Sequence, residues 1–317
     1  MGNSPPGRGM AFGKWARGIP YVVAFAVTIL WSSSYVLIKW GLTDIPPLYF
    51  ATVRYALAFV VLLVFDLAMG RRSPGNSVVG GKQAALLVVA GIGGYTIAQG
   101  LQFVGLYYLP AITTSFLLNF NPFFVLILSF ALLGEGTSAA QLGGVGLALL
   151  GAWAFFSQQA ALGGQAFGIL IVVISGLGWA AYVVVARMLQ RSGNMGPLRL
   201  TTITMGVGVA GMAVLTALTG QYAQLTTNGV IIIVWLATAN TALAFFLWNW
   251  SLKAIPPYEL TVFQDFMLVE IAILAFVFLQ ETITTLMIGG MALVLVGVLI
   301  VQVKARKGAP RLVRTQT

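Results

Sequence analysis

Ten blocks of about 20 apolar residues, set apart by short polar breaks, leave this chain few ways to fold. A helix that crosses a bilayer needs about 20 mostly apolar residues, with a range of about 17–25. The blocks fall at about 20–41, 47–69, 83–108, 111–133, 141–157, 165–189, 198–219, 229–253, 257–280 and 283–304. Between them stand "DIPP", "GRRSPGNS", "LPA", "GEGTS", "QQAALGG", "RSGNMGP", "GQYAQLTTN", "AIPP" and "QET", the Gly, Pro and polar clusters that punctuate helices. The tightest breaks, at Pro110 and Pro256, predict helical hairpins with almost no loop.

Composition agrees. Of the 317 residues 59% are hydrophobic and 8% charged, with a mean hydropathy of +0.94, whereas soluble domains carry about 25% charged residues. The chain has no Cys and no His, which excludes thiolate chemistry, Cys/His zinc sites and imidazole catalysis. No metal or organic cofactor is implied, and an enzyme is not expected. The opening "MGNSPP" places Pro6 where a myristoylation signal needs Ser or Thr. "GKWARG" resembles a signal-peptide n-region, but the block behind it is long enough to span and no small-residue cleavage pattern closes it. It reads as an uncleaved first helix.

The net charge of +10 is no nucleic-acid footprint, because most basic residues adjoin the ends of apolar blocks. With the N-terminus inside, the cytoplasmic side collects all but Lys39 and Arg54 of the 17 Lys and Arg residues, which sets the orientation and puts both termini inside. The basic tail "KARKGAPRLVR" is expected to touch anionic lipid.

Sliding the chain by 146 positions lays the fourth and fifth blocks over the ninth and tenth without a gap. Pro110 meets Pro256, Phe120 meets Phe266, Glu135 meets Glu281, Gly144 meets Gly290 and Gly151 meets Gly297. Ten spans thus divide into two sets of five, and because five is odd the second set enters the membrane from the opposite side. Inverted repeats of this kind characterise secondary transporters, whose substrate site lies near the midplane between the halves. The expected fold is an all-α polytopic membrane protein. Its parts are a cytoplasmic segment 1–19, a first five-helix repeat 20–157, an inverted second repeat 165–304 and a basic cytoplasmic tail 305–317.

"WSSSYVLIKWGL", "PPLYFATVRYALA" and "PFFVLILSFALLGEGTSAAQLGGVGLALLGAW", echoed by "LAFVFLQETITTLMIGGMALVLVGVLI", resemble the EamA-type permeases of the drug/metabolite transporter superfamily over nearly the whole chain. The resemblance implies ten helices and a central cavity lined by the first, third, fourth, sixth, eighth and ninth. It implies export or exchange of small metabolites, among them amino acids, amphipathic drugs, sugar phosphates and nucleotide sugars.

Polar residues inside the spans are the candidates for function. Glu135 and Glu281 each follow a span and precede a Gly-Gly helix; a carboxylate at a helix start satisfies free N–H groups and the positive dipole end. Gly144, Ala148 and Ala152, like Ala90, Gly94 and Ala98, have small-xxx-small spacing, expected to serve packing within one chain, with a monomer or weak dimer as the assembly. Asn119 and Asn121 flank Phe120 just before Pro122, which should kink the helix and free a carbonyl. Asn119 matches Asp265 in the repeat register.

"TVFQDFMLVE" sets Asp265 and Glu270 in the ninth block, about 140° apart around a helix. A carboxylate in hydrocarbon is costly and faces protein or water. Asp265, with Thr261 nearby, is assigned to the cavity as the coupling or recognition group, able to carry a proton or bind a substrate amine. Glu270 is its neighbour or proton partner, paired with a cation such as Arg54. The opposite assignment stays open. Trp31, Tyr35, Tyr95, Gln99, Trp179, Tyr182 and Asn240 complete the expected substrate site with Asn119 and Asp265, a set of rings and amides that suits an amphipathic organic ligand. Few basic residues lie within the spans, which disfavours phosphates.

The expected activity is secondary transport of a small amphipathic metabolite, an amino acid or related amine, outward across a prokaryotic cytoplasmic membrane. Coupling would be to protons or a counter-substrate. A multidrug or organic-cation exporter is the rival reading, and a phosphorylated-metabolite exchanger the next.

Overall fold

The computed structural model describes residues 9–70, 80–133, 137–157, 165–191, 195–252, 255 and 257–308. Glu135, Pro256, Arg71, Arg72, Lys253 and the end of the basic tail lie outside these residues. Ten helices among the described residues are long and apolar enough to cross a membrane: α1 Gly18–Gly41, α2 Pro47–Ala68, α3 Gly81–Tyr108, α4 Ala111–Ala131, α5 Ala139–Phe156, α6 Ala166–Gln190, α7 Pro197–Thr219, α8 Thr227–Trp248, α9 Val262–Leu279 and α10 Thr285–Val303. Each agrees with its apolar block to within a few residues, with the helical stretches of α8 and α9 running on to Leu252 and back to Pro257. Large apolar side chains such as Val22, Trp153 and Leu218 stand exposed on the outside of the bundle, as helices solvated by lipid require.

The repeat register is visible in three dimensions. Helices α5 and α10 approach so closely that a Cβ on Gly144 would lie 2.7 Å from the Gly297 carbonyl oxygen, and one on Gly151 would lie 2.7 Å from that of Gly290. Gly144 and Gly290 are repeat equivalents, as are Gly151 and Gly297, so each glycine meets the equivalent of the other. A two-fold axis between the two helices produces that exchange. The small-xxx-small stripe therefore packs one half against the other, with Ala148 fully buried between them, and close backbone approach replaces the absent hydrophobic drive. The caps follow the same register. Ser138 forms a capping box with Gln141 at the start of α5, and Thr284, 146 positions on, accepts from the Met287 amide at 3.3 Å at the start of α10.

Three helices are irregular. In α4 the helix stops at Leu118 and resumes at Asn121, because Pro122 has no N–H for the Leu118 carbonyl and the turn tightens, with Asn119 N–H donating to Phe116 O at 3.2 Å. The expected kink is there. The equivalent position in α9 is Leu268, and that helix is continuous from Pro257 to Leu279. Helices α3 and α8 each contain a π-helical stretch, Ile92–Gln99 and Thr238–Leu243. Their first residues are 146 positions apart, so the widened turns are equivalent features of the two halves. Such turns cluster at functional sites, and neither is legible in the apolar pattern.

One end of the bundle is tied together by charge. Lys39, near the end of α1, donates from Nζ to Leu106 O at 2.9 Å and Leu109 O at 3.1 Å, the last carbonyls of α3. Glu281 accepts from the Ala111 and Ile112 amides at 2.6 and 2.9 Å, the first N–H groups of α4. The two ions thus flank the Pro110 hairpin, each on the dipole end that suits its charge. Glu281 reaches back because α9 closes with Gln280 in the left-handed region, φ 56°, and Glu281 N–H returns to Ala275 O at 3.2 Å. The capping chemistry expected of Glu281 is correct, but it serves α4 rather than the helix that follows it.

Candidate functional site

The tied end gives a common reference for depth. Ser32 of α1, Arg54 of α2, Gln99 of α3, Asn119 of α4 and Glu270 of α9 each lie seven to nine residues from the end of their helix on the Pro110 side, about 10–14 Å in at 1.5 Å per residue. Five helices therefore bring polar groups to one layer.

Glu270 is the buried carboxylate of that layer, with 8% of its surface exposed. Its Oε1 accepts from Thr28 Oγ1 at 2.8 Å and its Oε2 from Ser32 Oγ at 2.7 Å. Thr28 and Ser32 are one helical turn apart, so both hydroxyls leave the same face of α1. Each oxygen of the carboxylate thus has a donor, which is what a charge buried in a bilayer requires.

The pairing of Glu270 with Arg54 is not formed. The Arg54 guanidinium lies 5.1 Å from the Tyr55 ring centroid and 5.6 Å from that of Phe103. The sequence signal for the partners Glu270 does take is the four-residue spacing of Thr28 and Ser32.

Asp265 is on the other side of α9. Its Oδ1 accepts from Gln302 Nε2 of α10 at 3.2 Å, while Oδ2 is buried without a partner. The carboxylate that faces α1 is therefore Glu270, and Asp265 faces α10.

The other candidates form two groups. In the first, Tyr95 is buried with its ring 5.9 Å from both Tyr55 and Tyr182, and Tyr182 lies 5.1 Å from Trp179. Tyr55 Oη donates to Gln99 Oε1 at 2.6 Å. These rings join α2, α3 and α6, and Gly94 makes room for them: a Cβ there would meet the Tyr182 ring at 2.6 Å. Tyr35 is buried on α1. In the second group, Trp31 packs against Phe245 and Trp248 at 5.8 and 4.9 Å. Asn240, on the π-helical turn of α8, donates to the Leu30 carbonyl, to Ser33 Oγ at 3.2 Å and to Ser34 Oγ at 2.8 Å, leaving its Oδ1 buried and unpartnered. Asn119 and Asn121 likewise have buried, unpartnered Oδ1 atoms at the break in α4. At the end of α1 and the start of α8 a recess of about 340 Å³ is lined by residues that include Trp40, Asp44, Asn228 and Ile232.

Helices α1, α3, α4, α6, α8 and α9 thus supply hydroxyls, amides, rings and one doubly hydrogen-bonded carboxylate. Among the described residues no group of three or more carboxylates could hold a metal ion.

Comparison with known proteins agrees with this architecture. The chain is 25% identical over 265 residues to an uncharacterized transporter of Archaeoglobus fulgidus, covering 80% of this chain and 86% of the relative. It is 32% identical over 127 residues to an S-adenosylmethionine/S-adenosylhomocysteine transporter of Chlamydia trachomatis, 40% of this chain and 37% of the relative. A solved crystal structure shares the fold with a TM-score of 0.61 at 19% identity, covering 92% of this chain and 98% of the other. The EamA-like transporter family matches twice, over residues 18–157 and 166–303. Two matching copies, ten spanning helices and a two-fold glycine seam make the chain an integral membrane protein that belongs to the EamA-like transporter family.

Proposed function

We propose that this transporter moves a small amphipathic metabolite bearing an amine, in the simplest case an amino acid, outward across a prokaryotic cytoplasmic membrane by alternating access. The observation that carries the reading is Glu270, a carboxylate buried at mid-depth and held by two hydroxyls of α1. A carboxylate kept there is an attractive partner for a substrate ammonium or a coupling proton. The rings of Trp31, Tyr35, Tyr95, Trp179 and Tyr182 supply the apolar faces, and Gln99, Asn119 and Asn240 supply orienting amides. Asp265 is the second coupling carboxylate.

Both cargoes named for the Chlamydia trachomatis relative carry an α-amino acid end, which fits the same chemistry. The kinked α4 and the paired π-helical turns of α3 and α8 give the halves places to bend as they rock about the two-fold axis. The rival cargo, an organic cation without a carboxylate, is favoured by the Trp31–Trp248 ring pair, 4.9 Å apart. Counterflow in proteoliposomes separates the two. Vesicles are loaded singly with unlabelled amino acids, amines or quaternary cations, and tracer entry is followed. Saturable exchange of amino acids supports the proposal, exchange of quaternary cations alone replaces it with the rival, and no exchange of any amine removes both.

A further inference from the structure

We propose that Arg54 is an anion-binding site that takes a carboxylate of the transported molecule. The inference rests on the carrier reading and extends it to the other end of the cargo.

Arg54 is 6% exposed, inside a membrane-spanning helix. Among the described residues no hydrogen bond or ion pair reaches its guanidinium, and Nε is fully buried without a partner. Its company is two aromatic faces, Tyr55 at 5.1 Å and Phe103 at 5.6 Å. Rings attract a cation through their quadrupole, but they accept no directed hydrogen bond from five N–H donors. A buried arginine whose structural role was complete would have a carboxylate or a set of carbonyls around it, as Lys39 has at the end of α3. Arg54 instead keeps an unspent charge, and an ionisable group in that condition inside a membrane marks a substrate pathway.

Its position fits that role. Arg54 shares the layer of Gln99, Asn119 and Glu270, and through Tyr55 it is continuous with the ring cluster of α3 and α6: Tyr55 bonds Gln99 and stacks edge-on with Tyr95. Glu270 is spoken for by α1 and supplies no counter-charge. The layer therefore offers one positive and one negative group, on α2 and α9, that do not neutralise each other. A zwitterion is the ligand whose ends satisfy both. The planar guanidinium fork matches a carboxylate bidentately, which selects a carboxylate over a spherical anion.

The assignment is tested on purified full-length protein in lipid nanodiscs by thermal shift with acetate, benzoate and 3-phenylpropionate as pure carboxylates, phenylalanine as a zwitterion, phenethylamine as its decarboxylated form, and inorganic phosphate. Wild type, Arg54→Gln and the volume-conserving Arg54→Met are compared. Carboxylates and phenylalanine are expected to stabilise wild type saturably. Their apparent affinity falls at least tenfold in both variants, while any response to phenethylamine is unchanged. Without ligand the variants are expected to melt close to wild type, because the removed charge has two ring faces and no hydrogen-bonding partner; a purely structural arginine would lower the midpoint. A wild type indifferent to every carboxylate, carboxylate binding unchanged in both variants, or a response to phosphate alone overturns the proposal. Counterflow on the same proteins separates the two readings. Amino-acid exchange with no dependence on Arg54 removes the anion site and keeps the carrier. Arg54-dependent carboxylate binding without amine exchange keeps the anion site and removes the amine cargo.

Discussion

Ser32 Oγ and Glu270 Oε2 are 2.7 Å apart across the contact between α1 and α9, joining the first helix of one half to the fourth helix of the other. Thr28 makes the matching bond to Oε1 at 2.8 Å. A hydrogen bond to a buried charge contributes about 1.5–3 kcal/mol. Ser32→Ala and Thr28→Val are each expected to cost that much, measured by thermal or detergent-induced unfolding of the purified protein. In a Glu270→Gln background the same changes should cost at least about 1 kcal/mol less, since neighbours that share a bond are not additive. Equal costs in the two backgrounds would mean that the hydroxyls do not hold the carboxylate.

The clamp on the Pro110 hairpin gives a second expectation. Glu281→Ala removes the acceptor of two α4 amides, 2.6 and 2.9 Å away. Loss of a helix N-cap costs about 0.5–2 kcal/mol, so a fall in unfolding stability within that range is expected. Gln280→Gly should act the other way, relieving the left-handed backbone at φ 56° by up to about 1 kcal/mol. If Gln280→Gly destabilises, the Gln280 side chain rather than the turn holds Glu281 in place.

The glycine seam separates positions that look alike in sequence. A Cβ at Gly290 would lie 2.6 Å from the Gly151 carbonyl oxygen, whereas one at Gly143 or Gly289 meets nothing within 4 Å. Gly151→Ala and Gly290→Ala are expected to force α5 and α10 apart, costing about 1–3 kcal/mol by the usual scale of overpacking. Gly143→Ala and Gly289→Ala should be neutral or slightly stabilising, since Ala is the better helix former. Similar effects at all four sites, read from unfolding curves, would contradict the two-fold contact between the halves.

Pro122 distinguishes the two equivalent helices. Leu268 stands at its place in the unbroken α9, so Pro122→Leu has a precedent in the same protein. Restoring the N–H should let α4 run on through Asn119 and Phe120, leaving the protein folded but slowing exchange severalfold if the kink is a point of bending. Unchanged exchange rates with a straightened helix, judged by counterflow and hydrogen exchange at Asn119 and Phe120, would make the kink a passive feature.

Much of this architecture is legible in the sequence because hydropathy and repeat register are one-dimensional. Ten apolar blocks mark ten helices, the 146-residue shift marks the two halves, and Pro122 marks a kink. The π-helical turns at Ile92–Gln99 and Thr238–Leu243 are hidden, because one extra residue in a turn leaves an all-apolar helix looking apolar. Partner choice is hidden for a different reason. Glu270 and Glu281 were legible as carboxylates needing donors, but which helix supplies them depends on rotation and tilt. Glu270 turns to Thr28 and Ser32 rather than to Arg54, and Glu281 crosses to α4. The four-residue spacing of Thr28 and Ser32 was the available clue, since it puts two hydroxyls on one helix face.

The most direct measurement is counterflow in proteoliposomes with wild type and Glu270→Gln, using amino-acid and amine tracers. Saturable tracer entry into preloaded wild-type vesicles, reduced at least tenfold in a Glu270→Gln protein that still unfolds cooperatively, is the result expected of a carrier whose mid-depth carboxylate meets the substrate or the coupling proton. Undiminished exchange by Glu270→Gln would contradict it and leave Glu270 a helix-packing residue.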